Sequence, residues 1–152
     1  MSQKLPNDGK GRGTYSCFYL NPRSTRRLSR WGKAAGVKNL FSDDEFHITI
    51  CYSKLPIEYS AAGILPPLPV KPKGFSIFGK EKEYLVLEVS SPFASNRNEY
   101  ARLLGAVSDF PDYKPHISLA KDSGITDTKD LPPIDFLLYL YREEVSAINP
   151  DH

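Results

Sequence analysis

The sequence predicts an α+β fold in which two pseudo-symmetric β-α-β lobes face a central cleft. Two observations carry that expectation. A strand-like segment, a helix opened by a proline and a strand headed by a histidine follow one another twice, with Pro22 preceding His47 by 25 positions and Pro92 preceding His116 by 24. Between the two runs lies 65–73, LPPLPVKPK, whose prolines remove backbone donors and restrict their predecessors, so it cannot be a helix. It reads as a stiff connector between lobes at 13–64 and 74–145, in preference to a docking ligand for a proline-reading domain. Identity between the halves is low, so the repeat is one of organisation.

Each element has a local reason. Residues 1–12 are polar and glycine-rich and read as a flexible arm preceding a single domain over 13–152. The aromatic alternation of 14–20, TYSCFYL, predicts a strand. Asn21 suits a helix N-cap with Pro22 in the first turn; Leu28, Trp31, Ala34 and Ala35 recur at helical spacing, and Gly36 supplies a stop. A turn around Ser42-Asp43-Asp44 leads into a strand at 46–53, FHITICYS. Residues 74–79 and 84–89 predict two strands paired about Lys80-Glu81-Lys82. Ser91-Pro92 opens a second helix with Phe93, Tyr100, Leu103, Leu104 and Val107 as its inward side. A turn at 109–114 precedes a strand at 115–120, PHISLA, and the last strand is expected over 134–144.

Composition narrows the function classes. At 152 residues, 40% hydrophobic and 25% charged, the chain has the make-up of a soluble globular domain. A formal charge of +2 does not favour coating long nucleic acids, though it leaves room for a local cationic cleft. The start, MSQKLP, lacks the apolar stretch of a signal peptide, and no apolar run reaches membrane-spanning length. Cys17 and Cys51 sit in apolar strand-like segments and read as a reduced pair. The glycine-rich arm lacks the phosphate-loop pattern, and no close set of histidines and cysteines indicates zinc, so neither cofactor nor metal is expected. Asp43-Asp44-Glu45 reads as a turn.

Two tetrapeptides carry the chemistry: His47-Ile48-Thr49-Ile50 and His116-Ile117-Ser118-Leu119. Side chains alternate along a strand, so each unit presents an imidazole and a hydroxyl on one face and two aliphatic anchors on the other. Cleaving a phosphodiester needs a base for the attacking oxygen and an acid for the leaving oxygen. Histidine as a residue type, with an unperturbed pKa near roughly 6.5, can do either near neutrality. The hydroxyls of Thr49 and Ser118 can donate to the nonbridging oxygens, where charge must be held. One H-x-[ST] alone is a weak signal. The two together, each after a matching strand-helix unit, are a strong one. His152 is the remaining histidine. Lys114 shares parity with His116 and could attract phosphate, although a surface lysine is the default; Cys51 shares parity with Thr49 and is read as packing.

The paired motifs on duplicated β-α-β lobes resemble the two-histidine phosphoesterase superfamily. Within it, Gly13-Thr14-Tyr15, the 46–53 segment, Pro115-His116-Ile117-Ser118 and Tyr141-Arg142-Glu143-Glu144 resemble the phage anti-CBASS nucleases, which destroy the cyclic oligonucleotide signals of a bacterial immune system. The resemblance runs over nearly the whole chain. It implies that His47 and His116 are the acid-base pair and that Thr49 and Ser118 hold phosphate, with serine where threonine is common. It further implies that Tyr15 stacks on a nucleobase and that Glu144 accepts hydrogen bonds from one. The implied activity is metal-independent cleavage of 3′–5′ linkages in cyclic di- and trinucleotides such as cyclic GMP-AMP, in the host bacterial cytoplasm. An RNA 2′,3′-cyclic phosphodiesterase and a non-catalytic cyclic-nucleotide sponge remain alternatives.

Overall fold

The structure, a computed structural model, describes residues 13–108 and 112–148; the arm expected at 1–12, His152 and the first half of the turn expected at 109–114 lie outside the described residues. Six strands and two helices follow in the order β1 Gly13–Leu20, α1 Pro22–Ala34, β2 His47–Ser53, β3 Ile64–Phe78, β4 Tyr84–Ser90, α2 Pro92–Leu103, β5 His116–Lys121 and β6 Leu138–Ile148. Asn21 caps α1 by accepting from the Ser24 N–H at 2.9 Å, and Ser91 caps α2 by accepting from the Ala94 N–H at 3.1 Å. Each cap is followed by proline at the first helical position, where a missing N–H costs nothing. The two halves therefore repeat their helix starts atom for atom in kind.

All strand pairs are antiparallel, and the sheet closes on itself in the order β1-β2-β5-β4-β3-β6. Exchanging β1 with β4, β2 with β5 and β3 with β6 carries this ring onto itself. The pseudo-twofold relation inferred from the sequence is thus present in the strand order. Its centre on the histidine side is the pairing of Ile48 with Ile117. Ile48, Ile50, Ile117 and Leu119 are fully buried, as their alternation with the histidine and hydroxyl positions requires. They form the core with Phe18, Leu85 and Leu87 of neighbouring strands and with Leu28, Ala94 and Ala101 of the helices.

Three expectations need correction. The proline-rich segment is not a connector; it is the first half of β3, paired with β6 at Leu68, Pro69 and Val70 and with β4 from Lys71 onward. Antiparallel pairing leaves alternate positions without a ladder bond, and bulges release others. Register shifts between Ile64 and Leu68 and between Pro72 and Gly74 take up Pro66, Pro67 and Lys73. The halves consequently divide at the turn after Phe78, not at 65–73. The inward side of α2 is also narrower than expected. Ala94 and Ala101 face the sheet with Phe93 and Tyr100 flanking them, while Leu103 is 79% exposed and Leu104 and Val107 are exposed too. The helix ends at Leu103, and Gly105, with φ +99°, turns the chain before Val107 can lie on that face. Finally, the last strand begins at Leu138, not 134, and runs on to Ile148.

Candidate active site

Because Ile48 opposes Ile117 across β2 and β5, antiparallel register puts His47 beside Ser118 and Thr49 beside His116. The two histidines are then diagonal neighbours on one face, for which ideal geometry gives about 7–8 Å. Both rings are half-buried. Each Nδ1 is bound to the backbone carbonyl two residues earlier: His47 to Glu45 O at 2.6 Å and His116 to Lys114 O at 2.8 Å. A carbonyl only accepts, so Nδ1 carries the hydrogen in both rings, and Nε2 is the nitrogen of each that is left to exchange a proton away from the backbone. The same bond in both halves fixes the same tautomer. Tyr19 lies 5.8 Å from the His47 ring and Phe78 meets the His116 ring edge-on at 5.1 Å, which limits rotation of each.

Thr49 is held from two sides. Its Oγ1 is 3.0 Å from the Tyr15 hydroxyl, and its backbone carbonyl accepts from the Tyr113 hydroxyl at 2.7 Å. Burial raises the phenols of Tyr15 and Tyr113 well above the usual tyrosine value, so both stay protonated donors. With Tyr15 donating, the Thr49 proton is free to point elsewhere. Burial likewise raises the Cys17 thiol, which faces Thr49 across β1 and β2.

A cavity of about 800 Å³ opens beside Thr49 and His116. Its aromatic wall is Tyr15, Tyr52, Phe78 and Tyr113, and its polar wall includes Asn98, Arg102, Asp112 and Lys114. That size falls within the range of small-molecule clefts, and the mixture of aromatic and charged groups suits a polar, ring-bearing ligand.

Of the predicted residues, Tyr15, Thr49 and His116 line this cavity, while His47 and Ser118 sit next to them by register rather than on its wall. Tyr15 is half-buried with its hydroxyl on Thr49 and its ring edge toward Tyr52 at 6.4 Å. Glu144 stands apart on β6, exposed and paired with Arg142, whose guanidinium lies 4.9 Å over the Tyr19 ring. Sequence reasoning missed Asn98, Arg102 and Tyr113, which reach the cavity from α2 and the segment after it; their i, i+4 spacing (Asn98, Arg102) was a faint signal. It also missed Glu143, a buried carboxylate on β6. Among the described residues, no three histidine, cysteine or acidic side chains gather as a metal set, and no helix is long and apolar enough to cross a membrane. Asp43–Glu45 is a 3₁₀ turn closed by a capping box with Ser42.

Comparison with known proteins extends this picture. A family model described as "Anti-CBASS protein Acb1" matches residues 12–152. The anti-CBASS protein Acb1 of Acinetobacter phage Ac42 is 32% identical over 113 residues, which is 74% of this chain and 75% of that protein. Among solved structures, one described as a phosphoesterase is similar with a TM-score of 0.58 at 11% identity, covering 91% of this chain and 96% of the other. E. coli LigT complexed with 3′-AMP is similar with a TM-score of 0.55 at 13% identity, covering 90% and 97%. At those identities the likeness is one of fold, and the fold is that of the two-histidine phosphoesterases.

Proposed function

The chain belongs to the anti-CBASS protein Acb1 family, and from that membership we propose that it degrades cyclic di- and trinucleotide signals, cyclic GMP-AMP among them, by metal-independent cleavage of their 3′–5′ linkages. The phosphoesterase-like fold and the family together place it among proteins that counter CBASS. The observation that carries the chemical part is the repeated Nδ1-to-carbonyl bond of His47 and His116, which leaves two equivalent Nε2 atoms on one face.

In this reading the scissile phosphate sits between the two imidazoles. The 2′-hydroxyl of the adjacent ribose attacks phosphorus as one neutral Nε2 takes its proton. The P–O5′ bond breaks as the other histidine, entering as imidazolium, gives a proton to the departing 5′ oxygen. A 2′,3′-cyclic phosphate and a free 5′-hydroxyl result, with proton count unchanged overall. Thr49 and Ser118 donate to the nonbridging oxygens, and Tyr15 keeps the Thr49 hydroxyl aimed.

The test is chromatography of cyclic GMP-AMP before and after incubation with the purified chain in excess chelator. Linear product is expected, with His47→Ala and His116→Ala each at least about a hundredfold slower, the usual weight of a general acid or base. Replacing the attacking ribose with deoxyribose should stop the reaction. Intact ligand recovered after heating the complex would make the protein a sponge. Turnover of 2′,3′-cyclic phosphate RNA ends without turnover of the cyclic dinucleotide would make it an RNA-end phosphodiesterase. Loss of activity on chelation would end the metal-independent mechanism.

A further inference from the structure

A cyclic oligonucleotide carries one anionic phosphate per nucleotide, so whenever one phosphate lies between the histidines at least one more must be accommodated. The cavity beside Thr49 and His116 is where the ring has room to extend, and among the described residues its wall holds the cationic side chains Arg102 and Lys114. Arg102 is exposed but tethered. Its Nε donates to Asn98 Oδ1 at 3.0 Å, and Asn98 Nδ2 donates in turn to the Ile50 carbonyl at 2.8 Å. Ile50 follows Thr49 on β2, so the guanidinium is tied through Asn98 to the backbone that carries the phosphate-holding hydroxyl. The one-turn spacing of Asn98 and Arg102 on α2 makes that tether possible. Lys114 is fixed at its backbone instead, since its carbonyl holds the His116 ring. Among the described residues, the Asp112 carboxylate shares the wall and offsets part of the positive charge.

We propose that Arg102 and Lys114 form the subsite for the non-scissile phosphate of the cyclic substrate. The inference rests on the function proposed above and adds to it the reason a ring with two or more phosphates is preferred to a single phosphodiester. A tethered guanidinium donates two parallel N–H bonds to a phosphate, and the ammonium adds a point charge. Asn98 is then a positioning residue, acting through Arg102.

The test uses two uncleavable probes and calorimetry on the full chain: the bis-2′-deoxy analogue of cyclic GMP-AMP, which has two phosphates, and the linear dinucleoside monophosphate of the same deoxynucleosides, which has one. Arg102→Gln and Lys114→Gln should each weaken binding of the ring by roughly tenfold, the scale of one charge-assisted hydrogen bond to a partly exposed anion, and weaken the linear probe by less than twofold. Arg102→Lys should recover only part of the loss, because the fork is gone. Equal losses for both probes would show that Arg102 merely props β2 through Asn98, and no loss for the ring would remove the subsite; either overturns the proposal. Turnover of cyclic GMP-AMP by the unaltered chain is followed in parallel, so that failure of the enzymatic reading registers separately from failure of the subsite.

Discussion

Glu143→Gln should be among the most damaging isosteric changes in this chain. The Glu143 side chain is 0% exposed, yet it is a carboxylate with four donors converging on it. Oε2 accepts from the Ser16 hydroxyl and the Tyr59 hydroxyl, and Oε1 accepts from the Ala62 N–H at 2.6 Å and Arg97 Nη2 at 2.9 Å. Those donors come from β1, from the segment between β2 and β3, and from α2, so one side chain on β6 ties four parts of the fold together. Burial and the neighbouring carboxylate raise the Tyr59 phenol, which therefore remains a donor. Glutamine replaces one acceptor oxygen with an NH₂ group. Two of the four donors then face a donor, and the Arg97 charge, whose side chain is 19% exposed, loses its counter-ion. Breaking a buried pair by removing one partner costs about 3–5 kcal/mol, and two lost bonds to a charged acceptor, at about 1.5–3 kcal/mol each, reach the same scale. For a chain of this size each kcal/mol moves Tm by about 2–4 °C, so thermal unfolding followed by circular dichroism should show a drop of roughly 6–20 °C. A Glu143→Gln protein melting within about 2 °C of the unaltered chain would refute the account of this network.

Tyr15→Phe isolates the hydroxyl contact from the stacking proposed for the ring. It keeps the ring and removes the hydroxyl that touches Thr49, so kcat on cyclic GMP-AMP should fall by about 2- to 12-fold with little change in KM; unchanged kcat would leave stacking as its whole contribution. Stability should also decline in alkali. Burial pushes the Cys51 thiol from 9.0 up to about 11 and raises the phenols of Tyr15 and Tyr113 above 10.0. Once pH passes the ordinary value of each group, the unfolded chain has shed a proton that the folded one retains. The stabilisation is therefore complete below about pH 9 and is lost on rising through the folded pKa, at about 1.4 kcal/mol per pH unit for each group. Urea midpoints at pH 8, 9 and 10 read this directly, and a flat series would contradict it.

What the sequence made legible was whatever obeys a short local rule. The caps at Asn21 and Ser91, the alternation around His47 and His116 and the hairpin joining β3 to β4 each depend on neighbours within a few residues, and each lies where the pattern placed it. The proline-rich half of β3 was illegible because its strand state is imposed from outside, by β6 on one side and β4 on the other, with bulges absorbing what proline forbids. The exposed end of α2 was misjudged for a related reason. Apolar residues past Tyr100 continued the helical pattern, but the helix ends at Leu103 and Gly105 turns the chain off that face. At the site, the motif residues were visible and the supports were not. Tyr113, Asn98 and Glu143 are bonded to partners between 46 and 127 positions away, a relation no periodicity encodes.

The low identity between the halves has a chemical sense. The ring of strands makes Tyr19 and Glu88 equivalent, as the neighbours of His47 and His116, and likewise Cys17 and Val86, the neighbours of Thr49 and Ser118. One strand further out, Arg142 and Glu144 lie beside Tyr19 and Cys17, while Gly74 and Ser76 lie beside Glu88 and Val86. So the His47 side carries an Arg142–Glu144 ion pair with its guanidinium over an aromatic ring, and the His116 side carries the Glu88 carboxylate, which accepts from Ser76. Phosphodiester cleavage by a base and an acid is not symmetric, because one oxygen loses a proton while another gains it. Two identical imidazoles in identical surroundings would have no reason to divide those roles. On the proposed mechanism, matching is needed only in the rows of histidines, hydroxyls and aliphatic anchors, and divergence in the rows beside them is what would let the two imidazoles take different roles.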